Sequence, residues 1–152
     1  MKLRRLLFLI PVCIMIFIFM FSAQEGKESL ELSNGFLYEI LSKLCSLFGL
    51  ENADISGLTQ FFSTAVRKAA HFSIYAFLGI SLYISLYFNS IKKAFAASEV
   101  ISFVYAVTDE LHQHFVPGRD GNAVDVLIDS FGAFSGILII YLILQYCKNK
   151  LT

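Results

Sequence analysis

The chain has 152 residues, of which 57% are hydrophobic and only 16% are charged, and a chain this short cannot hide so much apolar surface from water. We therefore exclude a water-soluble monomer. Its 12 basic and 12 acidic residues balance, so no net positive charge attracts nucleic acid, and we exclude a nucleic-acid partner as well.

The first predicted element is an apolar run over residues 6–23, long enough to cross a bilayer as a helix. Lys2, Arg4 and Arg5 precede it, as basic residues precede the apolar part of a signal peptide. However, the run is longer than the usual apolar part, and it places Phe21 where cleavage requires a small residue. We therefore interpret it as a membrane span.

The second predicted element is an amphipathic helix over residues 35–49. Its apolar residues recur at spacings of three and four, which is typical of one helical face. They are Phe36, Leu37, Ile40, Leu41, Leu44, Leu47 and Phe48. We expect this helix to lie flat at the outer membrane surface or to cap the bundle, rather than to bind a separate partner.

Three further spans are predicted over residues 69–88, 94–114 and 123–146. The span over 94–114 is short as an apolar run, and its last two turns are polar and therefore near the interface. The predicted fold is all-α: an integral membrane bundle of four transmembrane helices with an outer-surface amphipathic helix, in one domain over residues 1–152.

Basic residues indicate the orientation of the predicted bundle. They lie before the first span, between the second and third, and after the fourth: Lys2, Arg4, Arg5, Lys92, Lys93, Lys148 and Lys150. Because short loops rich in lysine and arginine stay in the cytoplasm, we predict a multi-pass protein of the bacterial cytoplasmic membrane with both termini cytoplasmic.

Ionisable residues gather at the outer ends of the second, third and fourth spans. Charges are costly in lipid, so such residues usually face the bundle interior, pair with one another or form a site. Helical spacing puts Lys68, His71 and Tyr75 on one face. The candidate ligand-binding residues are Lys68, His71, Tyr75, Asp109, Glu110, His112, Gln113, Arg119, Asp125 and Asp129.

Small residues continue the stripe of the last span that carries Asp125 and Asp129. Gly132, Ala133 and Gly136 form a surface that lets another helix approach closely. The two carboxylates are therefore predicted to face protein. Asp129 lies one turn deeper than Asp125 and requires a partner such as Arg119, His71 or Lys68.

Three stretches form longer motifs: FSAQ over residues 21–24, RKAAHF over 67–72 followed by Tyr75, and TDELHQHFVPGR over 108–119, which continues through Asp125 and Asp129 to the small residues. At these motifs the chain resembles the VanZ-like family of small multi-pass bacterial membrane proteins, named for an accessory determinant of teicoplanin resistance. The resemblance covers nearly the whole chain. It implies a helical membrane protein, linked in a few members to glycopeptide tolerance, with no settled biochemical activity.

Three hypotheses of function follow. In the first, a polar pocket at the extracytoplasmic ends of spans 2 to 4 binds an anionic amphiphile, such as a membrane lipid or a lipid-linked cell-wall precursor, and affects glycopeptide susceptibility. In the second, the Asp and His residues act as acid and base in an intramembrane hydrolase or transferase on a lipid phosphoester. In the third, the charges only pair helices in a structural membrane protein.

The sequence identifies no cofactor, catalytic residue or oligomeric state. We predict no metal, because the spacing shows no dedicated ligand motif, and the residues that come nearest to a ligand set are His71, Asp109 and Asp129.

Overall fold

The computed structural model describes residues 2–24, 26–50, 54–119 and 121–151. Six helices occupy most of these residues: α1 (Lys2–Leu6), α2 (Leu9–Ser22), α3 (Gly26–Leu47), α4 (Ile55–Phe88), α5 (Ala94–Gln113) and α6 (Ala123–Leu151). The described ranges contain no strand. The predicted all-α class is therefore confirmed.

Within the described residues, three stretches are long and apolar enough to cross a membrane: Arg4–Ser22, Ile55–Phe88 and Ala123–Lys150. They contain the first, second and fourth predicted spans. Helix α5, which coincides with the predicted span over 94–114, does not meet the same measure of apolar character. The four-span count is therefore not confirmed, and three spans are what the composition of the helices supports.

The first span is broken between α1 and α2, three residues before Pro11. Proline has no backbone N–H to donate to the carbonyl four residues earlier, which belongs to Leu7. That carbonyl instead accepts a hydrogen bond of 2.9 Å from the Ser85 hydroxyl of α4 and one of 3.3 Å from the Ile10 N–H. The segment between α1 and α2 is thus hydrogen-bonded to the last turn of α4.

Helix α4 is the centre of the bundle and contacts all five other helices. It begins about four turns before the predicted start at residue 69, where the Asp54 side chain accepts a hydrogen bond from the Gly57 N–H and caps the helix. Its 34 residues span about 51 Å, so part of it extends beyond a hydrocarbon core of about 30 Å.

Helix α3 covers residues 35–47 of the segment predicted as an amphipathic helix over 35–49, and it packs against α4. Cys45 is buried, whereas Phe36, Leu47 and Phe48 are strongly exposed. The position of this helix at the outer membrane surface stays a prediction.

Helices α4 and α6 approach each other closely along the predicted stripe of small residues. A Cβ atom at Gly132 would collide with the carbonyl oxygen of Phe72, and one at Gly136 with that of Ala76. Only glycine therefore fits at these two positions, and the predicted close approach is confirmed.

Candidate functional site

The deepest part of the site joins α4 to α6. His71 Nδ1 lies 3.4 Å from Asp129 Oδ1, so His71 is the partner that Asp129 requires. The Asp129 side chain is fully buried, and neither of its oxygens has a hydrogen-bond partner, because the contact with His71 lacks hydrogen-bond geometry. The pair is an ion-pair contact that leaves the carboxylate unsatisfied.

Two further carboxylates enter the same region from the end of α5. Asp109 Oδ2 accepts hydrogen bonds from the Tyr75 hydroxyl at 3.3 Å and the Gln113 amide at 3.2 Å. Glu110 Oε2 accepts one from the Asn122 N–H at 3.0 Å, which ties α5 to the start of α6. The second oxygen of each carboxylate is buried without a partner.

These side chains form one compact group, which we call the carboxylate–histidine cluster: His71, Asp109, Glu110 and Asp129. Each offers a nitrogen or oxygen atom, and these atoms all lie within 4.8 Å of one another. The cluster contains His71, Asp109 and Asp129, which the sequence analysis identified as the nearest approach to a set of metal ligands, together with Glu110. Such a group can hold shared protons or a cation.

A cavity of about 470 Å³ lies beside this cluster, between α2 and α4. Its wall is largely apolar, and its polar end carries Arg67, His71, Tyr75, Asp109, Gln113 and Arg119. A second cavity of about 180 Å³ adjoins it, lined in part by Lys68 and Asp125, whose side chains form an ion pair of 3.7 Å. Both cavities share Arg67, His71, Gln113 and Arg119.

Arg119 lies at the rim of both cavities, but its hydrogen bonds go to backbone atoms. It donates to the carbonyls of Phe21 at 2.8 Å and Gln24 at 3.0 Å, where the end of α2 leaves acceptors unsatisfied. No carboxylate in the described part of the chain forms an ion pair with it. Burial, followed by the nearby Arg67, lowers the pKa of Arg119.

Nine of the ten predicted candidates line a cavity or belong to the cluster. The exception is His112, whose ring stacks on Phe19 with centroids 4.6 Å apart. By spacing His112 lies on the same face of α5 as Asp109. The stacking contact turns its ring toward α2, and it neither lines the two cavities nor belongs to the cluster.

Sequence reasoning missed the contribution of α2 to the main cavity. Phe17, Ile18, Phe21 and Ser22 line it, and the Ser22 hydroxyl is buried without a hydrogen-bond partner. The FSAQ motif includes two of these residues, Phe21 and Ser22, but the sequence of an apolar span does not show which of its faces contacts protein.

The model of the VanZ/LLP1 family matches residues 7–144 of the chain. No curated protein and no solved structure matches the chain. The matched range includes every residue that lines the two cavities and all four members of the carboxylate–histidine cluster.

Proposed function

Since the chain belongs to the VanZ/LLP1 family, we propose that it is a multi-pass protein of the bacterial cytoplasmic membrane that binds an anionic amphiphile on the extracytoplasmic side. The observation that carries this proposal is the cavity of about 470 Å³, because it combines an apolar wall with a polar, partly cationic end. A lipid-linked cell-wall precursor or a membrane lipid has the matching chemistry, with an apolar tail and a phosphate.

The proposal includes α5 as the fourth span. Its side chains are arranged with the polar face inward: Ser98, Ser102, Asp109 and Gln113 are buried, whereas Val100, Phe103, Val104, Val107 and Leu111 are exposed. Its 20 residues measure about 30 Å, which is the thickness of a hydrocarbon core. Buried polar residues lower the mean hydropathy of such a helix without exposing polar groups to lipid.

The proposed orientation puts both termini in the cytoplasm. The Asn89 side chain after α4 donates to the Arg4 carbonyl of α1, so the basic N-terminal segment and the basic turn between α4 and α5 lie at one end of the bundle. Arg119 contacts the far end of α2. An alkaline phosphatase fused after His114 is expected to be active and one fused at Ser90 inactive; the reverse pattern would place the cavity in the cytoplasm.

Charge complementarity supports a phosphate at the polar end of the cavity. Arg67 is exposed there and Arg119 has further N–H donors beyond the two that hold α2. The guanidinium group suits phosphate because its N–H groups match two oxygens at once. The proposal also places α3, which packs against α4, at the outer surface.

Binding of undecaprenyl phosphate to the purified protein in detergent tests the proposal, with undecaprenol as a ligand that has the same tail and no phosphate. We expect the phosphate form to bind at least about tenfold more tightly, because a charge-assisted hydrogen bond contributes about 1.5–3 kcal/mol. Arg67→Gln is expected to remove this preference. Arg5→Gln, at the other end of the bundle, is the matched control.

Equal binding of the two ligands by the unmodified protein would disprove the anionic specificity. We extend the proposal to glycopeptide susceptibility: deleting the gene is expected to change the teicoplanin concentration that inhibits growth. Complementation with Arg67→Gln is expected not to restore it, while Arg5→Gln does.

A second candidate function is hydrolysis or transfer at a lipid phosphoester. One observation favours it: His71 lines the cavity and contacts Asp129 at 3.4 Å, as an acid–base residue and its orienting partner do. Release of inorganic phosphate from undecaprenyl diphosphate by the purified protein would support this function. Its absence, with binding retained, would leave the binding function alone.

A further inference from the structure

Asp129 is a fully buried carboxylate with two oxygens that receive no hydrogen bond. Buried polar groups in folded proteins are nearly always satisfied, and an unsatisfied one requires a specific explanation. His71 touches one oxygen without hydrogen-bond geometry, and its Nδ1 is itself without a partner. The His71 nitrogen and the two Asp129 oxygens can therefore each bind a further atom.

The two carboxylates of α5 show a complementary arrangement. Asp109 uses one oxygen to accept from Tyr75 and Gln113, and Glu110 uses one to accept from the Asn122 N–H. The other oxygen of each is buried and unpartnered. Outer hydrogen bonds that fix one side of a ligand and leave the other free are typical of metal sites.

No lysine or arginine in the described ranges forms an ion pair with the carboxylates of the cluster. Three carboxylates meet one imidazole, while Lys68 pairs with Asp125 at 3.7 Å and Arg119 donates two of its N–H groups to backbone carbonyls. Buried carboxylates this close together either share protons or require a cation. A cation placed between the open oxygens would both offset this charge and give each oxygen a partner.

We propose that the carboxylate–histidine cluster binds one divalent transition-metal ion of the Mn²⁺ or Zn²⁺ kind. Ligand atoms of a tetrahedral Zn²⁺ lie about 3.3–3.6 Å apart, and those on opposite sides of an octahedral Mn²⁺ about 4.4 Å apart. Side-chain shifts of a few tenths of an ångström for Mn²⁺, and of up to about 1.5 Å for Zn²⁺, would therefore bring atoms that lie within 4.8 Å of one another to these distances. One imidazole with three carboxylates suits these ions better than Ca²⁺ or Mg²⁺, which prefer oxygen ligands alone.

The position of the ion gives it a further role, which rests on the proposed function. His71 and Asp109 belong to the cluster and also line the cavity of about 470 Å³. A cation there offsets the negative charge of the carboxylates, which would otherwise repel a phosphate at the polar end. Amphiphile binding is then expected to weaken when the metal is removed.

Metal uptake is measured on purified full-length protein in detergent, without added lipid. The protein is stripped with EDTA, incubated with MnCl₂ or ZnCl₂ alone, and analysed by mass spectrometry of the metal and by titration calorimetry. We expect about one ion per chain for the unmodified protein. Asp129→Asn is expected to weaken binding on the order of 100-fold, and Tyr75→Phe, which removes one outer hydrogen bond, about 10- to 100-fold.

Glu99→Gln is the matched control, because Glu99 is a carboxylate of the same helix α5, about 15 Å along the axis from Asp109. It is expected to bind metal as the unmodified protein does. Uptake below about 0.1 ion per chain by the unmodified protein would overturn the proposal. A metal affinity equal to that of the unmodified protein in both Asp129→Asn and Tyr75→Phe would also overturn it. If Asp129→Asn fails to fold, His71→Gln replaces it.

These outcomes are separable from those of the proposed function. Metal uptake is measured without lipid, and the preference for undecaprenyl phosphate over undecaprenol is measured both with EDTA and with metal. Metal uptake without that preference supports the ion site and disproves the anionic specificity of the pocket. The preference without metal uptake supports the anionic pocket and overturns the ion site.

Discussion

Replacement of Asp129 by Asn is expected to stabilise the metal-free protein. The side chains have the same shape, but the carboxylate is fully buried, has two unsatisfied oxygens and lies among two other carboxylates. Asn removes the charge and supplies an N–H₂ group that can donate to a neighbouring carboxylate of the cluster. The substitution thus removes the repulsion between Asp129 and the other two carboxylates.

The magnitude follows from the geometry of the cluster. Two ionised carboxylates within 4.8 Å of each other repel by at least about 3.5 kcal/mol at an effective dielectric constant of about 20. Contact with His71 and sharing of protons offset part of this repulsion. The remaining cost is that of a buried polar group without a partner, about 1–3 kcal/mol. We therefore expect the free energy of unfolding to rise by about 1–3 kcal/mol.

The assay is unfolding of EDTA-treated protein in mixed micelles of increasing SDS content, followed by far-ultraviolet circular dichroism. Asp125→Asn is the matched control: it is the same change one turn earlier in α6, where the carboxylate is partly exposed and paired with Lys68. The control is expected to change stability by less than about 1 kcal/mol. A loss of more than about 1 kcal/mol in Asp129→Asn would refute the reasoning, since it would make Asp129 a structural residue.

Other changes test the packing of the bundle in the same assay. Gly136→Ala puts a Cβ against the Ala76 carbonyl and is expected to lower the free energy of unfolding by about 1–3 kcal/mol, whereas Gly35→Ala, with no atom within 4 Å, is not; equal effects would contradict the close approach. Ser85→Ala removes the hydroxyl donor of the Leu7 carbonyl, which keeps the Ile10 N–H at 3.3 Å, and is expected to cost about 0.5–1.5 kcal/mol; no change would mean that this hydroxyl does not stabilise the bundle. Adding metal at about 100 times its dissociation constant is expected to stabilise the unmodified protein by about 2.7 kcal/mol and Asp129→Asn much less; equal stabilisation of the two would mean that the metal binds outside the cluster.

Helix boundaries were predictable where turn residues mark them. The span predicted over 94–114 has nearly the bounds of α5, and the span predicted over 123–146 begins where α6 does. These boundaries were predictable because Pro117, Gly118 and Asn122 interrupt the chain between the two helices. The start of α4 was not predictable from hydropathy. Arg67 and Lys68 precede the apolar run, but no Gly or Pro lies between Gly57 and Gly79, so the helix has no physical reason to begin only at residue 69.

Membership of the site was largely predictable, whereas its pairings were not. Helical spacing placed Asp129 one turn from Asp125 and His71 one turn from Tyr75, and these residues do meet at one end of the bundle. Which cation meets which carboxylate depends on how far one helix is shifted along the next. The hydrogen bonds of Arg119 were unpredictable for another reason: backbone carbonyls, its acceptors, have no signature in the sequence.

The scaffold and the candidate site depend on the same contact between α4 and α6. Gly132 touches the carbonyl of Phe72, which is the residue after His71, and lies three residues from Asp129. The approach that glycine allows is therefore what brings His71 within 3.4 Å of Asp129. A larger residue at Gly132 would force the helices apart and open the cluster, so loss of function there would not distinguish packing from chemistry. Substitutions that keep the shape of the side chain and change only its charge do make this distinction, which is why Asp129→Asn is the decisive variant for the site.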